Sequence, residues 1–203
     1  MAATQSASEG NFYNIVQNSF RKKVEEGTEG AIMRKNKKEV EVYELSFDNI
    51  SGMIVNIEVK ETPFGQNIQI KLDDGDILSL GISTNEGKAF TKVMASIDPL
   101  KKVEFNVFEG SDGKGAFLVK QEGNAIKWNH TRAVPNGMPD AIQKTVAGVT
   151  KWDFSDQDEF LYQLLLKQLE RFGGQVPVNN DADFPEGRNE TANGKPPTED
   201  LPF

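Results

Sequence analysis

Cysteine is absent from all 203 residues, and histidine occurs once, at His130. The first absence excludes disulfides, thiolate zinc sites and thiol catalysis, and points to a reducing, cytoplasmic setting. The second excludes sites that need two histidines and argues against a serine triad built on His130, which beside a connector is expected to be exposed. No apolar run approaches the roughly 20 residues that a membrane-spanning helix requires. Residues 1–10 are small and polar, without the basic-then-apolar pattern of a secretory signal. Cations are also in short supply: 23 Lys and Arg against 31 Asp and Glu leave a net charge of −8, which disfavours coating a polyanion by bulk attraction. Asp73, Asp74 and Asp76 are the one carboxylate cluster that resembles a divalent-cation site, and Asp74-Gly75 reads better as a hairpin turn. No enzyme activity, metal or cofactor is expected.

What is present is a strand-rich body with unlike ends. Phe12, Tyr13, Ile15, Val16, Phe20 and Val24 make residues 11–24 a strand or strand pair, closed by Arg21-Lys22-Lys23. Residues 25–39 are charged and Gly-containing and read as a long loop or ribbon. Strand composition returns over 40–47. Over 50–60 the alternation places Met53, Val55, Ile57 and Val59 on one face against Ile54, Asn56, Glu58 and Lys60. Ile68, Ile70 and Leu72 continue it after a turn at 62–65, and Leu78, Leu80 and Ile82 after Asp74-Gly75, so three antiparallel strands form a meander. Phe90, Val93, Met94 and Ile97 switch to helical spacing, stopped by Asp98-Pro99. Val103, Phe105 and Val107 begin a further strand, and residues 117–120 another.

Three strands, a helix and two strands is the element order of an OB barrel. The expected fold is therefore mainly β: an OB-fold five-stranded barrel over 11–128 with one internal helix. Residues 129–150 read as a connector. Ser155 is expected to cap a C-terminal helix carrying Leu161, Leu164, Leu165, Leu169 and Phe172, which ends at Gly173-Gly174 and packs on the barrel or on a second copy. The domain limits are thus 1–10 (disordered), 11–128, 129–172 and 173–203. In the last segment Asp181, Asp183, Glu186, Glu190, Glu199 and Asp200 outnumber Arg188 and Lys195, and sparse apolar residues predict a disordered acidic tail.

The chain ends Thr198-Glu199-Asp200-Leu201-Pro202-Phe203. This end resembles the C-terminal tip of bacterial single-stranded DNA-binding proteins, and the analogous tail of phage replication proteins. The tip here has only Glu199 and Asp200 as adjacent acids, and Leu201 where Ile is frequent. The resemblance implies sequence-tolerant single-stranded DNA binding in DNA replication, recombination or repair. It also implies recruitment of partner proteins through Glu199, Asp200, Leu201, Pro202 and Phe203. The unfamiliar N-terminal extension favours a bacteriophage source, hence the host cytoplasm.

The resemblance supplies no DNA-contact residues, so these come from chemistry. Bases stack on aromatic faces while cations track the phosphates. Strand parity puts Lys60, Gln69, Lys71, Lys102 and Phe108 opposite the apolar face, and Phe64 lies at a turn. Phe64 and Phe108 lead as stacking residues, followed by Tyr43 and Trp128, and Arg34, Lys35, Lys37 and Lys38 form a basic arm. Two rival readings stand beside this one: a replication-associated protein-protein adaptor without DNA binding, favoured by the acidic body, and a nuclease built on the region of Asp73 and Asp76.

Overall fold

The computed structural model describes residues 10–36, 39–63, 65–110 and 115–174. The N-terminal residues 1–9, the positions of Lys37, Lys38 and Phe64, residues 111–114, and the tail from residue 175 on, with its tip, lie outside them.

The chain opens with a hairpin, β1 (Phe12–Val16) and β2 (Ser19–Val24). Gln17 and Asn18 form its turn, both with positive φ (48° and 58°), the twist that two-residue hairpin loops favour. The stretch read as a long loop or ribbon contains a short strand, β3 (Ile32–Lys35), which pairs antiparallel with β4 (Glu41–Phe47) as one arm of a ribbon.

The expected strand over 50–60 is two strands. β5 (Asn49–Gly52) belongs to one sheet and β6 (Ile54–Thr62) to another, with the chain crossing at Met53. Met53 N–H donates to Asp73 Oδ1 and Met53 O accepts from Asp73 N–H, both at 2.9 Å. A register shift between Ile54 and Asn56 explains why the simple alternation fails. A bulge inserts one unpaired residue and inverts parity, so Ile54 is buried while Val55 is exposed.

β6, β7 (Gly65–Leu72) and β8 (Ile77–Gly81) form the expected meander, turning at Gly75, whose φ of 91° suits glycine. Helix α1 (Asn85–Met94) follows, capped by Thr84 Oγ1 accepting from Gly87 N–H at 3.2 Å. A Cβ on Gly87 would sit 2.1 Å from Gly81 O, so only glycine lets the helix start this close to β8.

β9 (Val103–Glu109), β10 (Gly115–Gln121) and the two-residue β11 (Asn124–Ala125) complete the second sheet. The seven-stranded sheet runs β3-β4-β2-β1-β8-β7-β6 and the four-stranded one β11-β10-β9-β5. Five of these strands, with β5 and β6 counted as one bent strand, and the helix between β8 and β9 follow the expected order. The described ladders do not close them into a barrel, because β8 pairs in parallel with β1, which continues the sheet into β2, β4 and β3.

The connector also holds more order than expected. β12 (Ile142–Val146) and β13 (Val149–Asp153) form a separate hairpin. Ala147 and Gly148, with φ of 51° and 80°, supply its turn. Helix α2 (Ser155–Leu169) begins at Ser155 itself, and Phe154 occupies the cap position without a side-chain bond. Asp153 does the capping work instead, accepting from the Ser155 N–H at 2.9 Å and hydroxyl at 2.6 Å. The side chain of Lys144, then these two bonds, hold the Asp153 carboxyl well below its ordinary range.

One core joins both sheets and both helices: Phe20, Ile57, Ile68 and Leu78 from the larger sheet, Phe105 from the smaller, Phe90 from α1 and Leu165 from α2 are all fully buried. Burial of each such side chain contributes about 1.5–3 kcal/mol. Leu161, Leu165 and Leu169 form the buried stripe of α2, so the C-terminal helix packs on its own body. Lys88 on α1 meets Asp158 on α2 at 2.6 Å. His130 is buried, not exposed: its Nδ1 lies 3.1 Å from Pro135 O and its ring packs edge-on against Phe160. No helix among the described residues is long and apolar enough to cross a membrane.

Candidate nucleic-acid interface

The larger sheet has one apolar face and one polar face, and cross-strand register defines the polar one. Asn14 lies opposite Arg21 on β2 and Ser79 on β8. Ser79 lies opposite Gln69 on β7, and Gln69 opposite Glu58 on β6. In the other direction Arg21 faces Ser46, Lys23 faces Glu44 on β4, and Arg34 on β3 faces Val42. Alternation then places Phe12, Lys71 and Lys60 on the same side. Five cations, Arg21, Lys23, Arg34, Lys60 and Lys71, share this face with two carboxylates, Glu44 and Glu58. A chain of net charge −8 thus carries a local excess of positive charge on one sheet face.

The face is concave in two places. A groove of about 560 Å³ is lined by Phe12, Asn14, Arg21, Lys23, Arg34 and Glu44, among others. A smaller depression of about 130 Å³ is lined by Asn14, Asn67, Ser79 and Thr84, among others. Asn14 belongs to both, so the two meet on β1 at the middle of the sheet. The Nε of Arg21 is buried and has no hydrogen-bond partner. A buried guanidinium donor left unpaired is costly, and the residue that carries it lines the larger groove.

The residues singled out from sequence are divided among several places. Lys60 and Lys71 are on the polar face. Lys60 reaches Glu58 at 2.9 Å; Lys71 has no ion pair among the described residues. Arg34 is on the face but committed: its Nε and a terminal nitrogen donate to the two oxygens of Glu44 at 2.7 and 2.6 Å, and this pairing raises its pKa further. It is therefore no free arm. Lys35 has the opposite parity and lies 3.8 Å from Glu39.

Tyr43 is half-buried on the other face, and burial, then a hydrogen bond with Glu26, raises its hydroxyl pKa. Phe108 is exposed near the end of β9, in the smaller sheet, and Lys102 lies just before that strand, so neither is on the polar face of the larger sheet. Trp128 lines neither groove on the larger sheet. Lys37, Lys38, Phe64, Glu199, Asp200, Leu201, Pro202 and Phe203 lie outside the described residues.

No protein-family model, curated protein or solved structure matches the chain. Chemistry alone must characterise the face.

Sequence reasoning overlooked Arg21, Lys23, Asn14 and Phe12 as site residues. The signal was available: in the β1–β2 hairpin Phe12 and Asn14, then Arg21 and Lys23, alternate against Tyr13, Ile15 and Phe20. The acidic trio of the hairpin turn is occupied structurally. Asp73 bonds Met53 N–H, Asp74 accepts from Asp76 N–H at 3.0 Å, and Asp76 accepts from the backbone and side chain of Asn11 at 3.0 and 2.8 Å.

Proposed function

We propose that the polar face of the larger sheet binds single-stranded DNA with little sequence preference, on an OB-type module extended by the β1–β4 strands. The observation that carries this reading is the groove at β1 and β2, where Arg21, whose Nε has no hydrogen-bond partner, and Lys23 line the wall beside the exposed ring of Phe12. Cations and amides along the face would hold phosphates and sugars, contacts that position a strand without reading its bases. Phe12 supplies a stacking platform at the groove wall. The C-terminal tip, Glu199 to Phe203, recruits replication, recombination or repair proteins, and its acids compete for the same cations at low salt.

The test is titration of labelled oligo-dT with the full chain and with Phe12→Ala and Phe108→Ala. Loss of one base-stacking contact costs about 1–3 kcal/mol, so Phe12→Ala should weaken binding markedly and Phe108→Ala, on the other sheet, much less. Failure of the parent protein to bind oligo-dT at low salt would refute the reading and leave the adaptor function, which the overall acidity favours. Deleting the last five residues should abolish partner capture while leaving strand affinity equal or higher.

A further inference from the structure

A second concave site lies away from the sheet grooves and shares no lining residue with them. It measures about 570 Å³ and is lined by Trp128, by Trp152 and Phe154 around β13, by Lys92 of α1, and by Arg132 and Asp140. Three large aromatic side chains are substantially exposed here, Trp128 at 45%, Phe154 at 48% and Trp152 at 58%. Folding normally buries such rings, and a cluster of them beside cations marks a binding surface. Lys92 lies 4.9 Å from the centre of the Trp128 ring. Burial, then the neighbouring Lys88 ammonium, pushes its amine below the ordinary lysine value, so a bound anion would relieve an unfavourable positive charge. Arg132 is exposed and has no ion pair among the described residues. In the β12–β13 hairpin residues 142–145 and 149–152 are exposed, so the Trp152 indole is not part of a buried core.

We infer that this pocket holds a nucleotide of the same single strand, its base stacked on the indole rings of Trp152 and Trp128 and its phosphate on Arg132 and Lys92. Flat indoles beside two cations, against the single carboxylate of Asp140, complement a planar base linked to an anion. The inference rests on the single-strand reading of the sheet face and adds a second contact to it, so a bound strand reaches beyond the sheet.

The chain has two tryptophans, and both line this pocket, so intrinsic emission reports on it alone. The experiment follows fluorescein anisotropy and tryptophan emission together while oligo-dT of about 16 nucleotides, the upper end of what one OB-type module covers, is titrated with the full chain. The variants are Arg21→Ala, Arg132→Ala and Trp152→Leu, each checked for folding by circular dichroism. Emission should fall in step with anisotropy, Trp152→Leu should weaken binding by about 5-fold or more, as loss of one stacking contact does, and Arg132→Ala should weaken it and make its salt dependence shallower. Anisotropy that saturates with emission unchanged, or pocket variants that bind like the parent while Arg21→Ala does not, would overturn the pocket and leave the sheet face standing. Absence of any anisotropy change would bring down both. A peptide with the sequence of residues 198–203 that quenches emission where oligo-dT does not would overturn the nucleotide assignment in favour of the tail.

Discussion

Arg34 and Glu44 form a two-pronged ion pair across β3 and β4, at 2.7 and 2.6 Å, with the Glu44 side chain 9% exposed at the wall of the main groove. Glu44 also stands directly opposite Lys23. One carboxylate therefore neutralises the guanidinium at the edge of the cationic face and lowers the potential beside Arg21.

Replacing Glu44 by Gln should release Arg34 and raise the local potential. Oligo-dT affinity is expected to rise about 3- to 10-fold at low salt, with the gain shrinking as salt screens it. Equal affinity of Glu44→Gln and parent at low ionic strength would show that the strand does not run past β3 and β4.

Arg21→Ala should weaken oligo-dT binding without loss of fold, because its buried Nε makes no internal bond to lose. If Arg21 meets a phosphate, the slope of log affinity against log salt should become shallower by about 0.7, the release of one counterion from a single strand. A weaker complex with an unchanged slope would assign Arg21 to base or sugar contacts instead.

Arg171 closes α1 from a distance of more than seventy residues. Its guanidinium donates to Met94 O and Ala95 O at 3.2 Å and to Ile97 O at 3.1 Å, gathering carbonyls at and just beyond the helix end, where intrahelical donors run out. Arg171→Ala should cost about 1–3 kcal/mol in urea unfolding, with little change in oligo-dT affinity. Leu165→Ala, in the fully buried seam of α2, should cost about 2–5 kcal/mol. Both variants as stable as the parent would show that α2 is not part of the cooperative unit.

The Tyr13 hydroxyl is raised from 10.0 to about 12 by burial, then by the charge and hydrogen bond of Asp76. The folded state thus favours the protonated phenol more than the unfolded state does. Its stabilising contribution should be complete below about pH 10 and fade as pH rises towards about 12. Tyr13→Phe should flatten the unfolding free energy in that interval, relative to the parent. An identical alkaline profile for the two proteins would remove Tyr13 from the account.

Much of the local structure was legible in the residues themselves. The alternation through Ile68, Ile70 and Leu72, the turn at Asp74-Gly75 and the helical spacing of Phe90, Val93 and Met94 each encode a backbone period and a buried face within a few residues. Parity also sorted Lys60, Lys71 and Phe108 to outward faces, as found. The β12–β13 hairpin escaped notice because its turn is Ala147-Gly148, without the usual Asn or Asp, and its exposed arms have no apolar period to read.

The site itself is a tertiary product. Parity assigns a side chain to a face but is silent on which strand lies alongside. The parallel pairing of β1 with β8 joins Asn14 to Ser79 across 65 positions of sequence, and from it the larger sheet acquires its order and its continuous groove. The same pairing takes the edge of β8 and leaves the five-strand unit unclosed. A bulge at Val55 and the crossing at Met53 likewise depend on two sheets competing for one strand. Sequence by itself therefore determined the β6–β8 meander, α1 and the buried stripe of α2, because hydrophobic period acts locally. Long-range strand pairing alone decided that Phe12, Arg21, Lys71 and Lys60 share one surface, because that pairing is settled only when the separate faces are buried together in one core.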